Sequence, residues 1–457
     1  MMVTTTSIKA KALPKKSLWQ NTRLLLKFRR QPLETLRKIC DYHGDLVNFE
    51  IGNRSIAIVR DPEYIEQILV RKRKNFTKNT PGYKNLKLLL GEGLLTSEGD
   101  FWVKQRRMAQ PSFHRETIAG FAEIMTQATK EFVFDWKLSA KQERVIDVSN
   151  EMQKLTLKII GLCLLSVDLS DEAQTISQVL PIVTKYITNR VQPIQLVPDW
   201  LPNGEKRQFQ KAVAECNRVV YEIINQRKQQ QDKGRDLLGM FLEMYDEETG
   251  ERMSEVQVRD EVMTMFLAGH ETTASSLSWT FYLIARHPQI EADLRAELRT
   301  VLGDRLPSLS DLSQLQLLDR VIKESMRLYP PLPLIARKVE TDDVVGDYHF
   351  PARMQIIVSS YVTHRHPKYW DNPDRFDPDR FLSVLSASLP RSTYIPFSDG
   401  AHRCIGDQFA LMEMKLVLAT ILQHFKLSLS LGQKVAMDPN ITLRPKDGLP
   451  MLLQPLN

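Results

Sequence analysis

The residues best suited to chemistry lie in one short loop, Phe397-Ser398-Asp399-Gly400-Ala401-His402-Arg403-Cys404-Ile405-Gly406. An amphipathic helix is predicted directly after it, over 407–425. Cys404 therefore stands at the positive end of a helix dipole, near unpaired backbone N–H groups and beside Arg403. All three favour a thiolate over a thiol. Gly400 and Gly406 permit tight turns, or the close approach of something flat and large. No CxxC or Cys/His cluster surrounds the cysteine, which argues against zinc. Taken alone, the loop also fits a small buried apolar cysteine between two turns.

A second constellation lies in a helix predicted over 255–286, started by a Ser254/Gln257 capping box and stopped by His287-Pro288. Within Ala268-Gly269-His270-Glu271-Thr272-Thr273, residues Ala268, Glu271 and Thr272, with Ser275, share one helix face. Ala268 and Gly269 leave room there for a bulky group. Thr272 can bond back to the Ala268 carbonyl, opening the helix locally for oxygen and water. A core helix with incidental polar residues is the alternative. An acid and two threonines amid Met265, Phe266, Leu267, Leu277 and Trp279 make it poor on burial cost. Two pairs have helical spacing as well. Glu324 and Arg327, one turn apart, can form an ion pair, and Trp102 and Arg106 can point to one place.

The elements that must position these groups come from a chain of 457 residues with formal net charge +7. A hydrophobic share of 42% with 26% charged residues is that of a globular protein, and 4 cysteines exclude a disulfide-stapled one. Basic blocks long enough for nucleic acid are absent. No run of ~18 apolar residues suggests a membrane span. With Cys40, Cys163, Cys216 and Cys404 scattered and no export signal, a cytoplasmic location is expected. Residues 1–20 read as a flexible basic tail, whose Lys9, Lys11, Lys15 and Lys16 offer peripheral membrane contact.

Residues 46–59 read as a hairpin turning at Gly52-Asn53, and Asp61-Pro62 opens a helix. Further helices are expected over 116–136, 149–165, 171–187, 205–230 and 235–245. Nine of the 24 prolines fall between 330 and 400, making that stretch loop-rich, with a strand-like run at 354–360. With no repeat, linker or heptad seam, the chain reads as one domain over 1–457 and as a monomer.

The Cys404 loop resembles the haem-binding pattern Phe-x-x-Gly-x-x-x-Cys-x-Gly of the cytochrome P-450 superfamily, the haem-thiolate monooxygenases, met at Phe397, Gly400, Cys404 and Gly406. Ala268–Thr273 resembles the family's small-Gly-x-acid-Thr pattern, Glu324/Arg327 its Glu-x-x-Arg, and Trp102/Arg106 its Trp-x-x-x-Arg. The resemblance implies a mainly α fold with small β-sheets, enclosing haem between a long central helix and the cysteine loop. It implies non-covalent haem b with Cys404 as axial ligand, because the glutamate that some fatty-acid hydroxylases esterify to haem is Ala268 here. Phe397 would pack on the ligand side, and Arg106, His402 and Arg337 would meet haem propionates. Arg380 would join Glu324 and Arg327 in a structural network.

The reaction implied is insertion of one atom of O₂ into a C–H bond, the other leaving as water. Thr272 would hydrogen-bond the oxygen under activation and Glu271 would deliver protons through water. Electrons would come from a ferredoxin or flavodoxin with its reductase, since no nucleotide-binding glycine pattern follows a strand. Lys104, Arg107 and Lys415 are candidate docking contacts. Residues expected to face a hydrophobic substrate are Leu88, Met263, Phe266, Leu267, Leu334 and Ile335, all apolar, so a fatty acid, alkane or terpenoid is expected. The motif set is most similar to bacterial and cyanobacterial members near the fatty-acid and alkane hydroxylases. A peroxide-using haem-thiolate enzyme is the alternative, disfavoured by the intact Glu271-Thr272 pair. A non-catalytic helical binding protein is the alternative from another class.

Overall fold

The structure, a computed structural model, describes residues 11–17, 27–28, 30–51, 54–139, 144–169, 173–191, 204–231, 234, 236–246, 248–382, 388–430 and 432–456. The chain divides into two compact units. The first comprises Met1–Thr80, Pro333–Pro373 and Leu389–Arg403, and the second Pro81–Leu332, Asp374–Ser388 and Cys404–Asn457.

The first unit is built on β-branched runs. Leu46–Ile51 and Arg54–Val59 form the predicted hairpin, with Leu46 opposite Val59. Its predicted Gly52-Asn53 turn lies outside the described residues. Gln355–Val358, the strand expected near 354–360, joins Arg54–Val59 in parallel and Ile335–Val339 antiparallel. Phe76–Thr77 and Lys15–Ser17 complete this six-stranded sheet at its edges. The expected flexible tail does not hold for these N-terminal residues: Lys15–Ser17 pairs with Asn48–Glu50 and Lys11–Ala12 with Tyr348–His349. Backbone ladder bonds and burial of Leu13 offset the ordering of a segment whose charge alone suggested disorder. Val59, Ile65, Ile68, Val339, Phe350 and Val358 form the core beneath the sheet.

Asp61 caps the following helix as expected, accepting from the backbone N–H groups of Glu63 and Tyr64 at 2.8 and 3.2 Å. After Glu66 the helix widens into a π-turn, Gln67–Arg71. The helix Pro32–His43 was not foreseen. Its signal was present: Pro32 at the first helical turn, then Leu33, Leu36, Ile39 and Cys40 on one buried face.

The second unit is mainly helical. The predicted 116–136 helix is two, Arg115–Ala119 and Ala122–Ser139, split at Gly120, a poor helix former. Val148–Ile160 is capped by Asp147 and passes into a π-turn, Gly161–Leu165. Ala173–Val191, Gly204–Gln229, Leu237–Glu243 and Asp407–His424 answer the other expectations within a few residues. Glu255–Arg286 has its predicted bounds, with both hydrogen bonds of the Ser254/Gln257 capping box formed. It packs against Val148–Ile160, Gln316–Leu328 and Asp407–His424, so it is the unit's central element. Among the described residues, no helix is long and apolar enough to cross a membrane.

Candidate active site

Two elements of the second unit carry the chemistry. The long helix is buried on all sides from Val258 to Ile284 except at four residues. Leu267, Gly269 and Thr272 are half-buried, and Ala268 is exposed. A central helix opened at one spot only offers a cradle there, and the opening coincides with the polar motif. Thr272 Oγ1 donates to the Ala268 carbonyl at 2.6 Å, as its spacing predicts. The bond forms without interrupting the helix, so the expected local opening is not seen in the backbone. With its single donor used, the Thr272 hydroxyl presents acceptor lone pairs.

Glu271 is buried, and its Oε1 accepts from Thr442 Oγ1 at 2.7 Å. Ser275 Oγ donates to the Leu443 carbonyl, which also accepts from Trp279 Nε1 at 2.8 Å. The turn joining strands Met437–Pro439 and Leu443–Pro445 is therefore fastened along this helix, and it orients the acid. Sequence reasoning missed Thr442, which is far away in the chain and belongs to no motif.

His270 points elsewhere. Its ring stacks on Phe266 at 6.3 Å, and burial draws its pKa down to about 4, so it is neutral at physiological pH. Gly269 departs from the expected role of making room for a bulky group. A Cβ there would lie 2.5 Å from Ile160 Cδ1, so the missing side chain admits the neighbouring helix. Phe266 stands two residues from Ala268, roughly 200° around the helix, and is buried beside a small void that it lines with Leu164, Leu238, Val262 and Met265. Met263 is buried as well, Leu267 borders the open spot, and Leu88 is half exposed.

Cys404 is the other element. Of the four cysteines it alone is exposed. Burial pushes the Cys40 thiol up to about 12 and the Cys216 thiol up to about 11, and raises that of Cys163 too. Those three are inert thiols, and Cys404 alone is accessible as a ligand. It lies two residues before Gly406, which precedes the N-terminus of Asp407–His424. Burial lowers the pKa of Arg106, in the helix Gly99–Ala109, and the neighbouring Cys404 and Asp407 oppose that shift. Trp102, one turn earlier, is buried. A Cβ on Gly406 would make only ordinary contact, 3.7 Å from Phe113, so a flat group has room beside it. An accessible sulfur at a helix start, a cation within its field and a helix opened at a small residue together fit a thiolate-held porphyrin.

The remaining cofactor candidates belong to the first unit. Arg337 is buried, with Nη1 donating to the Ala336 carbonyl, and Phe397 and His402 are half-buried. Ile335 is half-buried and Leu334 exposed. The stretch leading to Cys404 is held by Asp399, which accepts from the Gly400 N–H at 2.7 Å, from Ser392 at 2.7 Å and from Arg391 at 3.1 Å. Gly400 has φ +70°, and a Cβ there would sit 2.4 Å from the Leu69 carbonyl oxygen. Glycine is thus required where this turn meets the π-turn.

The Glu-x-x-Arg pair is wholly buried. Arg327 donates through Nε and Nη2 to Glu324 at 2.6 and 2.8 Å, and through Nη2 to the Arg375 carbonyl at 3.1 Å. Glu324 also accepts from the Asp377 N–H at 2.9 Å, with Arg380 Nε 3.5 Å away. Burial pushes the Glu324 carboxyl above its ordinary value, opposed by the two arginines. The three docking candidates are all engaged by acids of the chain: Lys104 by Glu251, Arg107 by Asp246 and Glu248, and Lys415 by Asp319. Their charge is largely neutralised, which the sequence alone could not reveal.

A family model described as Cytochrome P450 matches residues 13–451. The chain is 36% identical to cyclooctatin synthase of Streptomyces melanosporofaciens, over 91% of this chain and 89% of that one. It is 33% identical to cyclooctat-9-en-7-ol 5-monooxygenase of the same organism, over 87% and 85%. The crystal structure of the cytochrome P450DA heme domain superposes with a TM-score of 0.89 at 29% identity, covering 98% of each chain. The expected class, mainly α with small sheets, is the fold of that heme domain.

Proposed function

The chain belongs to the cytochrome P450 family, and on that premise we propose that Cys404 ligates its haem iron and that it hydroxylates a cyclic, terpenoid-like skeleton. The protein is a haem-dependent monooxygenase, with thiolate-ligated haem b as cofactor, a redox partner as electron source and a hydrophobic substrate. The observation that carries the assignment of Cys404 is its exposure beside Arg106 while every other cysteine is buried and protonated. Arg106 balances anionic charge at that place, and Trp102 packs its helix.

When bound, haem supplies the activation of O₂, and the thiolate's electron donation favours O–O cleavage. The chain's own residues handle binding, water and protons. Ala268 leaves the helix flank low enough for a planar group and substrate to approach. Thr272, with its hydroxyl proton turned to Ala268, is left to accept a hydrogen bond from a water at the opening. Glu271, oriented by Thr442 through one oxygen, keeps the other for a water that feeds protons toward Thr272. The intact acid–threonine pair supports O₂ activation over use of peroxide. Glu324, Arg327 and Arg380 are structural. Coverage of 98% by a solved heme domain supports reading the whole chain as one functional domain.

The terpenoid class rests on the relatives, one named for cyclooctat-9-en-7-ol, and on the apolar flank at Leu267 and Ala268. A ferredoxin or flavodoxin is the donor we propose, docking through cations other than the three already paired. The test of the acid–threonine assignment is Thr272→Ala: oxygen consumption persists while product per O₂ falls severalfold and hydrogen peroxide rises. Unchanged coupling contradicts it.

A further inference from the structure

The second unit contains a cavity of about 340 Å³ that the oxygen-activating machinery does not use. It lies among the helices Pro81–Leu90, Ala173–Val191 and Gly204–Gln229. That volume lies at the lower end of the range of small-molecule sites. One side is apolar, with Leu88, Val213 and the rings of Tyr186 and Phe209, which stack at 4.1 Å with planes 13° apart. Arg190 covers the Tyr186 ring at 4.4 Å, which stiffens this wall.

The other side carries Lys206, Gln210 and Asn217. Asn217 is not free to choose its polarity. Its Oδ1 accepts from Arg259 Nε at 2.9 Å and again from Nη2, so the amide N–H₂ is the end left for a ligand. Arg259 is itself fixed, donating to Asp260 and to the Leu89 carbonyl, each at 2.8 Å. Asp260 in turn accepts from the Glu92 N–H at 2.8 Å. One buried cluster thus ties the cavity floor, the segment after Leu88 and the oxygen-activating helix together. Lys206 is a donor only, so two of the three polar groups can do nothing but donate.

We propose that this cavity recognises an oxygen substituent (hydroxyl, carbonyl or carboxylate) on the apolar skeleton of the substrate, with Asn217 and Lys206 as the donors that set specificity. The inference rests on the monooxygenase reading and deepens it. The substrate therefore arrives already bearing oxygen. The apolar wall holds the skeleton while the donors fix which end lies away from the reacting carbon.

The test is spectral titration of the holoenzyme with matched probes: farnesol against farnesene, dodecanol against dodecane, and dodecanoic acid. Wild type should bind at least one oxygenated probe about tenfold more tightly than its hydrocarbon, the effect of one good hydrogen bond. Asn217→Asp keeps an acceptor for Arg259 but loses the donor, so the preference should collapse while hydrocarbon affinity stays within about twofold. Lys206→Met should weaken dodecanoic acid more than dodecanol. Absence of preference in wild type, including no response to any probe, overturns the proposal, as does a preference that survives in both variants. The ferrous–CO difference band, recorded on each sample, separates this failure from failure of the haem assignment, because it is indifferent to the cavity.

Discussion

Removing Arg327 should destabilise the protein far more than an ordinary surface ion pair would suggest. Arg327 and Glu324 have no exposed side-chain surface. Arg327→Met keeps much of the volume but leaves the Glu324 carboxylate in the interior with the Asp377 N–H and the more distant Arg380. Breaking one half of a buried pair costs about 3–5 kcal/mol, and the surviving partners place this variant near the lower figure. Glu324→Gln leaves the guanidinium without its carboxylate and belongs near the upper one. The double variant Glu324→Leu/Arg327→Met removes both charges and should recover most of the loss, since apolar replacement of a buried pair is often neutral. At ~2.1 cal/mol/K per residue over 457 residues, the unfolding entropy is about 1 kcal/mol/K. The single variants should therefore melt roughly 3–5 °C lower by differential scanning calorimetry. A single variant within about 1 °C of wild type, or a double variant less stable than both singles, would refute the claim that the pair acts as a buried unit.

Two other buried positions make separate demands. Glu413 is fully buried beside Thr273, and burial pushes its carboxyl well above the ordinary range. A raised folded-state pKa adds stability below the unfolded value of 4.5 that is lost as pH climbs toward the folded one. Wild type minus Glu413→Gln stability should thus fall with pH above that value, by at most ~1.4 kcal/mol per unit; a flat difference contradicts a neutral Glu413. Gly269→Ala should cost about 1–3 kcal/mol through the clash with Ile160, and Ile160→Val, which removes the clashing Cδ1, should restore much of it. Additive costs in urea denaturation would rule out that contact as the reason for glycine.

Local signals carried far into this fold. Capping residues gave the start of the long helix and of the helix after Asp61 because each cap is decided within four residues. Cys404, Thr272 and the Glu324–Arg327 pair were legible for the same reason: spacing on one helix or loop fixes the relation. What sequence could not give depends on distant partners. Thr442 orients Glu271 across 171 positions, and Ile160 decides the meaning of Gly269. Phe266 is apolar and so is expected to face substrate, but Leu164 and Leu238, its neighbours from other elements, are not legible in the sequence. Lys11, Lys15 and Lys16 looked like part of a solvated tail, and only the strands that receive them say otherwise.

The central claim is that the sulfur of Cys404 is the haem ligand, and the reduced carbon monoxide difference spectrum tests it most directly. Wild type should show the long-wavelength Soret band of a thiolate-ligated ferrous–CO haem, and Cys404→Ala should lose it. That band surviving unchanged in Cys404→Ala, or moving only when Cys40, Cys163 or Cys216 is replaced, would contradict the account.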